Sequence, residues 1–189
     1  MGVEPGPSIV TERLVLRRWR TEDRAPFAAM NADLAVMEFF PAPLSTAESD
    51  DLARRADALF DRVGYGLFAV EVLDGEPFIG FVGLSPFASA DPSPLPFAPG
   101  VEVGWRLAHG AWGRGYAPEA AAACLEFGFT HAGLEEIVSF TSVLNERSQS
   151  VMRKLGMRRD PADDFDHPRI AETDPLRPHV LYRLRRPVD

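Results

Sequence analysis

The stretch of sequence that decides the fold is residues 112–120, which read WGRGYAPEA. A β-rich run over residues 101–108 precedes the stretch, and a helix is predicted from about residue 117 to 131. Gly113 and Gly115 permit close approach of the backbone at this junction, and Pro118 suits the first turn of a helix. The N–H groups of such a loop and the positive end of the helix dipole can converge on phosphate oxygens. The stretch therefore predicts an anion cradle, with a tight turn that needs only positive φ as the alternative.

Two common nucleotide-binding loops do not fit this stretch. A Walker loop requires Gly-Lys-Ser/Thr, and a dinucleotide fingerprint that begins at Gly113 would need its third small residue where Pro118 stands. A second pattern, Asn145-x-x-Ser148, follows a predicted strand at 137–143 and opens a helix that Gly156 ends. Taken alone, this second pattern indicates a helix with a capping residue.

The rest of the chain supplies a sheet and further helices. The periodicity predicts a strand over residues 9–19, a helix from Thr21 to about residue 32, a helix after the capping box at Ser45 and Glu48, strands at 67–73 and 78–84 around the turn Asp74-Gly75, and a final strand at 180–184. The fold class predicted is α/β (α+β), with a mixed, largely antiparallel central sheet flanked by helices. The proline-rich residues 86–99 are predicted to be irregular and to cover or line a site.

Composition limits the classes of function. The length of 189 residues predicts a single domain. The net charge of −8 argues against nucleic acid as a partner. The single cysteine, Cys124, excludes an internal disulfide and suits the cytoplasm. We also expect no targeting or membrane segment, no metal, and a monomer or homodimer.

Three motifs in the same order resemble the GCN5-related N-acetyltransferase (GNAT) superfamily. They are residues 102–107 (EVGWRL), residues 112–120, and Asn145-x-x-Ser148 with residues 154–157 (KLGM). The start at residues 11–17, TERLVLR, is similar to the RimJ/RimL-like branch, which acetylates the N-termini of ribosomal proteins. The resemblance implies a single domain over residues 8–186, after a flexible N-terminus at 1–7, with a GNAT-like acyl-CoA N-acyltransferase fold whose sheet splays open beside the glycine loop. It also implies acetyl-CoA as the co-substrate, with its pantetheine arm in the gap.

The resemblance places cofactor contacts along one segment and at the second motif. They are the backbone of Leu107 and Ala108 beside the pantetheine, the loop residues Gly110, Ala111, Trp112, Gly113, Arg114 and Gly115 with Tyr116 around the pyrophosphate, Asn145 near the pantetheine, and Ser148. The family usually has Gln or Arg where Gly110 stands. The cradle is therefore expected to rely on backbone groups and on Arg114.

Direct attack of an amine on a thioester requires the amine to be neutral. At pH 7, deprotonation costs about 4.6 kcal/mol for a lysine-like amine but only about 1 to 1.4 kcal/mol for an α-amine. Glu102 is the candidate base because it alternates away from Val101 and Val103 in the strand before the loop, and a solvated or ion-paired strand residue is the alternative. Ser148 is the candidate donor to the leaving thiolate, with helix capping as the alternative.

Four other chemically active side chains are left off the list of site residues. Tyr182 is a weaker alternative to Ser148 as the donor and is expected in the core. Cys124 is expected in the packing of an apolar helix, and His109 and His131 in a loop and at a helix end. The leading function is acetyl-CoA-dependent N-acetylation of a primary amine, either a protein N-terminal α-amine or a small-molecule amine. A non-catalytic acyl-CoA-binding sensor is the alternative.

Overall fold

The computed structural model describes residues 7–90 and 94–187. The predicted flexible segment at 1–7 lies outside the described residues except for its last position. The chain opens with β1 (Ile9–Val10) and β2 (Leu14–Arg17), which pair antiparallel. One continuous strand over 9–19 is therefore wrong, because Thr11 turns the chain: its hydroxyl accepts a hydrogen bond from the Leu14 N–H at 3.0 Å.

Two helices follow, α1 (Arg24–Ala32) and α2 (Thr46–Val63). The capping box predicted at the start of α2 is confirmed: the Ser45 hydroxyl accepts from the Glu48 N–H at 3.3 Å, and the Glu48 carboxylate accepts from the Ser45 N–H at 2.8 Å. Gly64 ends α2 in the left-handed conformation, with φ of 80°.

The remaining elements complete a nine-stranded sheet with two more helices. They are β3 (Leu67–Val72), β4 (Gly80–Phe87), β5 (Gly100–Leu107), α3 (Tyr116–Thr130), β6 (Glu136–Ser142), α4 (Glu146–Lys154), β7 (Arg158–Arg159), β8 (Phe165–Asp166) and β9 (Pro178–Arg185). The sheet order is β1-β2-β3-β4-β5-β6-β9-β7, with β8 also on β9. Every described pair is antiparallel except β5 with β6, which confirms the predicted mixed sheet.

Helices cover both faces of the sheet, and the alternation of β5 assigns its side chains to these faces. Val103 and Leu107 are buried in the larger core, which includes Cys124 and other α3 residues. The side chains of Glu102 and Arg106 therefore belong to the opposite face, where α1 and α2 pack. Phe81, which lies opposite Arg106 in β4, is buried there in a second cluster with α1 and α2 residues.

Candidate active site

The central feature of the site is a split between β5 and β6. Among the described residues these parallel strands form a single bridge, between Glu102 and Val138. β5 continues to Leu107 and β6 to Ser142 without another bridge, so the strands separate toward their carboxyl ends. Backbone N–H and C=O groups that lack a strand partner can pair with an extended ligand inserted into the gap.

The glycine loop closes the wide end of this split. Gly113 and Gly115 have φ of 73° and 82°, and Gly115 is the N-cap of α3 without any side-chain cap. Nothing lies within 4 Å of the position that a Cβ of Gly110 or Gly113 would occupy. The loop therefore leaves open space before the uncapped start of the 15-residue helix α3, an arrangement that suits a phosphate group.

The backbone that leads into the loop is held by internal hydrogen bonds. The Leu107 carbonyl accepts from the Trp112 indole N–H at 2.8 Å, and the Ala108 N–H donates to the Ile79 carbonyl at 2.9 Å. The Ala108 carbonyl in turn accepts from the Ala111 N–H at 2.9 Å. Each carbonyl keeps a second lone pair. These bonds fix the predicted pantetheine-contact segment in shape while leaving acceptor capacity.

A side-chain network joins the amino-terminal hairpin to the glycine loop. Arg13 donates from Nε to Glu119 at 2.7 Å and from Nη1 to the Arg114 carbonyl at 2.9 Å. Its guanidinium carbon also lies 5.0 Å from the centroid of the Tyr116 ring. The sequence motif TERL, quoted above only as a resemblance, thus acquires a physical role: it holds the loop on which the predicted cradle depends.

Asn145 and Ser148 lie at the end of β6 and the start of α4. The Asn145 side chain accepts from the Ser148 N–H at 3.1 Å and donates to the Thr141 hydroxyl at 3.0 Å. The capping interpretation of Asn145 is therefore confirmed. The Ser148 hydroxyl is left available by this bond, since the cap uses only its backbone N–H, and the side chain is half-buried.

Glu102 lies at the root of the split, where β5 and β6 meet. Burial raises the pKa of Glu102 to about 8, and no ion pair or hydrogen bond to another side chain contributes. Its Oε1 lies 3.7 Å from the position that a Cβ of Gly104 would occupy, so the carboxylate leans along β5 toward the loop. A carboxyl group with a pKa near the working pH suits a general base.

An aromatic cluster lies on the face of the sheet that carries Glu102. Phe97 lies 5.5 Å from Phe87 and 5.7 Å from Phe140, measured between ring centroids. Phe87 packs over Gly100, and Phe140 comes two residues after Val138 on the same face, so Phe97 spans the region of the β5–β6 bridge. Phe97 is therefore the residue through which the proline-rich segment is predicted to cover or line a site. Pro92 of the same segment lies outside the described part of the chain.

Sequence reasoning missed the contacts of two arginines. Arg106 donates to the Asn31 side-chain oxygen at 2.6 Å, and its guanidinium carbon lies 4.0 Å from the centroid of the Phe40 ring. Arg147, in the first turn of α4, forms an ion pair with Glu38 of the segment between α1 and α2. Both contacts join distant parts of the chain, so no local pattern could reveal them.

The four side chains that were left off the list of site residues lie where expected. Tyr182 and Cys124 are buried in the core, and burial raises the pKa of the Cys124 thiol. His109 and His131 are exposed, with rings against Trp112 and Phe127 respectively.

A separate groove of about 610 Å³ runs along the outer side of α3. The ends of α4 and β9, including Lys154 and Arg185, form its other wall. None of the predicted site residues lines it.

Within residues 7–90 and 94–187, no three His, Cys, Asp or Glu side chains are grouped so that they could hold a metal ion. No helix in this described part has the length and apolar character needed to cross a membrane.

Comparisons with known proteins agree with this geometry. Residues 13–158 match the family model of the acetyltransferase (GNAT) domain. An uncharacterised N-acetyltransferase of Bacillus subtilis, YnaD, is 28% identical over 155 residues, which cover 80% of this chain and 83% of that protein. The crystal structure of an acetyltransferase from Agrobacterium tumefaciens superimposes with a TM-score of 0.74 at 25% identity, covering 95% of both chains.

A more distant likeness concerns the fold alone. RimL, a ribosomal L7/L12 α-N-protein acetyltransferase in complex with coenzyme A, matches with a TM-score of 0.71 at 15% identity, covering 94% of this chain and 96% of that one. The residues that match the family model include the glycine loop and both strands of the split. The chain belongs to the GNAT family and is an N-acetyltransferase.

Proposed function

We propose that residues 8–186 form one acetyltransferase domain that transfers the acetyl group of acetyl-CoA directly to a primary amine. One observation carries the proposal: Glu102 lies at the root of a split between parallel strands whose other end faces an uncapped helix N-terminus. An extended thioester with a pyrophosphate at one end fits that arrangement. The acceptor can then approach from the face that carries Glu102.

The residues present fit the cofactor on structural grounds. Gly110 and Gly113 have no side chains, and the space that a Cβ would enter at each position is open among the described residues. A phosphate group could occupy that space beside the loop. Loop N–H groups would donate to the pyrophosphate, with each charge-assisted bond contributing on the order of 1.5 to 3 kcal/mol. Leu107, Ala108, Ala111, Trp112 and Tyr116 would frame the pantetheine and pyrophosphate, with Arg114 and Gly115 completing the loop. Acetyl-CoA supplies the activated acetyl thioester when bound.

Glu102 would accept a proton from the attacking amine, directly or through water. A base with a pKa of about 8 is nearly matched to an α-amine of pKa ~7.7 to 8.0. A lysine-like amine of pKa ~10.4 would transfer its proton uphill by about 3 kcal/mol. Glu102 therefore favours amines of low pKa. The free hydroxyl of Ser148 is the candidate proton donor at the thiol end, and Asn145 acts by holding the first turn of α4.

Thiol release tests the proposal. The purified protein is given acetyl-CoA with a panel of primary amines, and free thiol and acetylated product are measured together. The expected result is equimolar thiol and N-acetyl product that depend on the amine. Tight CoA binding without amine-dependent thiol release would favour the sensor alternative.

We further propose a cytoplasmic location, since Cys124 is a free, buried thiol, which suits a reducing compartment.

A further inference from the structure

Arg106 is a charged side chain without an opposite charge. No carboxylate of residues 7–90 or 94–187 forms an ion pair with it, and its single side-chain hydrogen bond goes to the neutral oxygen of Asn31 at 2.6 Å. Its Nε is fully buried and has no hydrogen-bond partner. Burial alone lowers the pKa of Arg106 to about 10. The Asn31 oxygen and the Phe40 ring offset part of the desolvation cost of this guanidinium, but no carboxylate of the described residues does.

Two other arginines of the chain, one buried and one partly buried like Arg106, are treated differently. Arg17, whose side chain is 7% exposed, pairs with both Asp23 and Glu71 at 2.8 Å. Arg183 pairs with Glu136 at 2.8 Å and Asp163 at 2.9 Å. A protein with an excess of acidic residues thus supplies two carboxylates to each of these cations and none to Arg106. That contrast indicates that an anion from outside the chain completes the Arg106 site.

The location of Arg106 ties that anion to the acceptor. Arg106 and Glu102 project from the same face of β5, four residues apart, or about 13 Å along a strand. Between them Gly104 contributes no side chain, and of the described atoms outside Gly104 and its two chain neighbours only the Glu102 carboxyl group lies within 4 Å of where its Cβ would be. A molecule lying over Gly104 would contact the candidate base at one end and the guanidinium at the other.

We infer that Arg106 is the receptor for a negative group on the acceptor, so that the substrate class is a primary amine that also carries a carboxylate. The inference rests on the proposed acetyl transfer. The planar guanidinium donates well to a carboxylate, whereas a polyamine would bring a second cation against it. The net charge of −8 favours cationic acceptors, but the local charge over Gly104 selects a zwitterionic one.

Matched acceptor pairs test the inference. Amino acids with one to five carbons between amine and carboxylate are compared with the corresponding amines that lack the carboxylate, and kcat/KM is measured by thiol release. The unsubstituted protein should prefer the carboxylated member of the best pair by about 10- to 100-fold. Arg106→Gln should reduce that preference to near one by raising the acceptor KM, without changing the affinity for CoA. Arg106→Lys, which keeps the charge but not the fork, should retain an intermediate preference.

Controls separate this role from others. Arg62→Gln, an exposed arginine of α2, should leave the preference unchanged. A lower CoA affinity in Arg106→Gln would assign the arginine to the cofactor and overturn the inference. Equal loss for both members of a pair, or a preference for amines with phosphate in place of the carboxylate, would also overturn it.

A binding measurement keeps the inference independent of turnover. N-acetyl amino acids and their uncharged amides are titrated into the CoA-bound protein and its Arg106→Gln and Arg106→Lys variants. Binding that requires both the carboxylate and Arg106 supports the inference even if no amine releases thiol, in which case the proposed function fails alone. Equal binding of acid and amide, or no binding of either, contradicts it.

Discussion

Arg13 and Glu119 connect the start of the chain to the glycine loop through a charged pair with Nη2 to Oε2 at 2.6 Å. The Glu119 carboxylate also accepts from the Arg13 backbone N–H at 3.0 Å and from the Thr11 hydroxyl at 2.6 Å. Burial opposes ionisation of Glu119, but the hydrogen bonds from Thr11 and Arg13 outweigh it and lower the pKa. The loop that would hold a pyrophosphate is thus positioned by residues a hundred positions away in the sequence.

Removing the charge of Glu119 should loosen the loop. We expect Glu119→Gln to weaken CoA binding by roughly 3- to 10-fold, because Arg13 loses its charged partner and no longer orients the Arg114 carbonyl, a loss of about 1 kcal/mol. Calorimetric titration of CoA measures the effect. Glu126→Gln, an exposed acid on the same helix, is the control. Identical affinities in the two variants would remove Glu119 from the positioning residues.

Gly113 and Gly133 offer a matched pair for the cradle itself. Their φ values are 73° and 66°, and neither would bring a Cβ within 4 Å of other atoms. Valine at either position should cost a similar amount of stability, about 1 to 2 kcal/mol, from backbone strain. Only Gly113→Val should weaken CoA binding, since Gly133 lies in the turn after α3, at the opposite end of that helix. Equal CoA affinities in the two folded variants would contradict the phosphate assignment.

The raised pKa of Glu102 makes a prediction about stability. In the folded protein this carboxyl binds its proton up to about pH 8, whereas in the unfolded chain it loses the proton near pH 4.3. The contribution of Glu102 to the free energy of unfolding is therefore fully present below pH 4.3 and is lost as pH rises through 8. The free energy of unfolding of the parent protein and of Glu102→Gln can be measured in urea at several pH values in this range. As pH rises, the parent should lose stability relative to the variant by at most roughly 1.4 kcal/mol per pH unit. A difference that does not vary with pH would mean that Glu102 titrates normally.

Phe97 should control the acidity of Glu102. Phe97→Ala would admit water to the β5–β6 bridge, lower the pKa of Glu102 toward its ordinary value and move the rising limb of the pH–rate profile to lower pH. Simple destabilisation would reduce the rate without moving that limb. An unchanged limb in a folded Phe97→Ala protein would mean that other groups desolvate Glu102.

Local signals in the sequence predicted much of the fold, and their success has a physical basis. Ser45 with Glu48, the turn at Asp74-Gly75 and the stop at Gly64 each act within a few residues, so their effects do not depend on the rest of the chain. The same holds for the uncapped start of α3. The strand break at Thr11 was missed because a side-chain hydrogen bond to Leu14 competes with the alternation pattern.

The acceptor side of the site depends on contacts between distant segments. Arg106 and Asn31 are 75 positions apart in the sequence. Phe97 contacts Phe140 because the irregular segment before β5 runs over that part of the sheet. Neither contact leaves a periodic or compositional pattern. The alternation of β5 could place Glu102 on one face, but it could not show which neighbours would exclude water from that face.

The rate of amine-dependent thiol release as a function of pH tests the central claim most directly. With acetyl-CoA and a carboxylated amine, the parent protein should form equimolar thiol and N-acetyl product at a rate that rises as Glu102 ionises near pH 8. Glu102→Gln should be slower by about 10²- to 10⁴-fold at neutral pH, and the defect should shrink as pH approaches the pKa of the acceptor. Thiol release that does not depend on the amine, or a defect that stays constant with pH, would contradict acetyl transfer with Glu102 as its base.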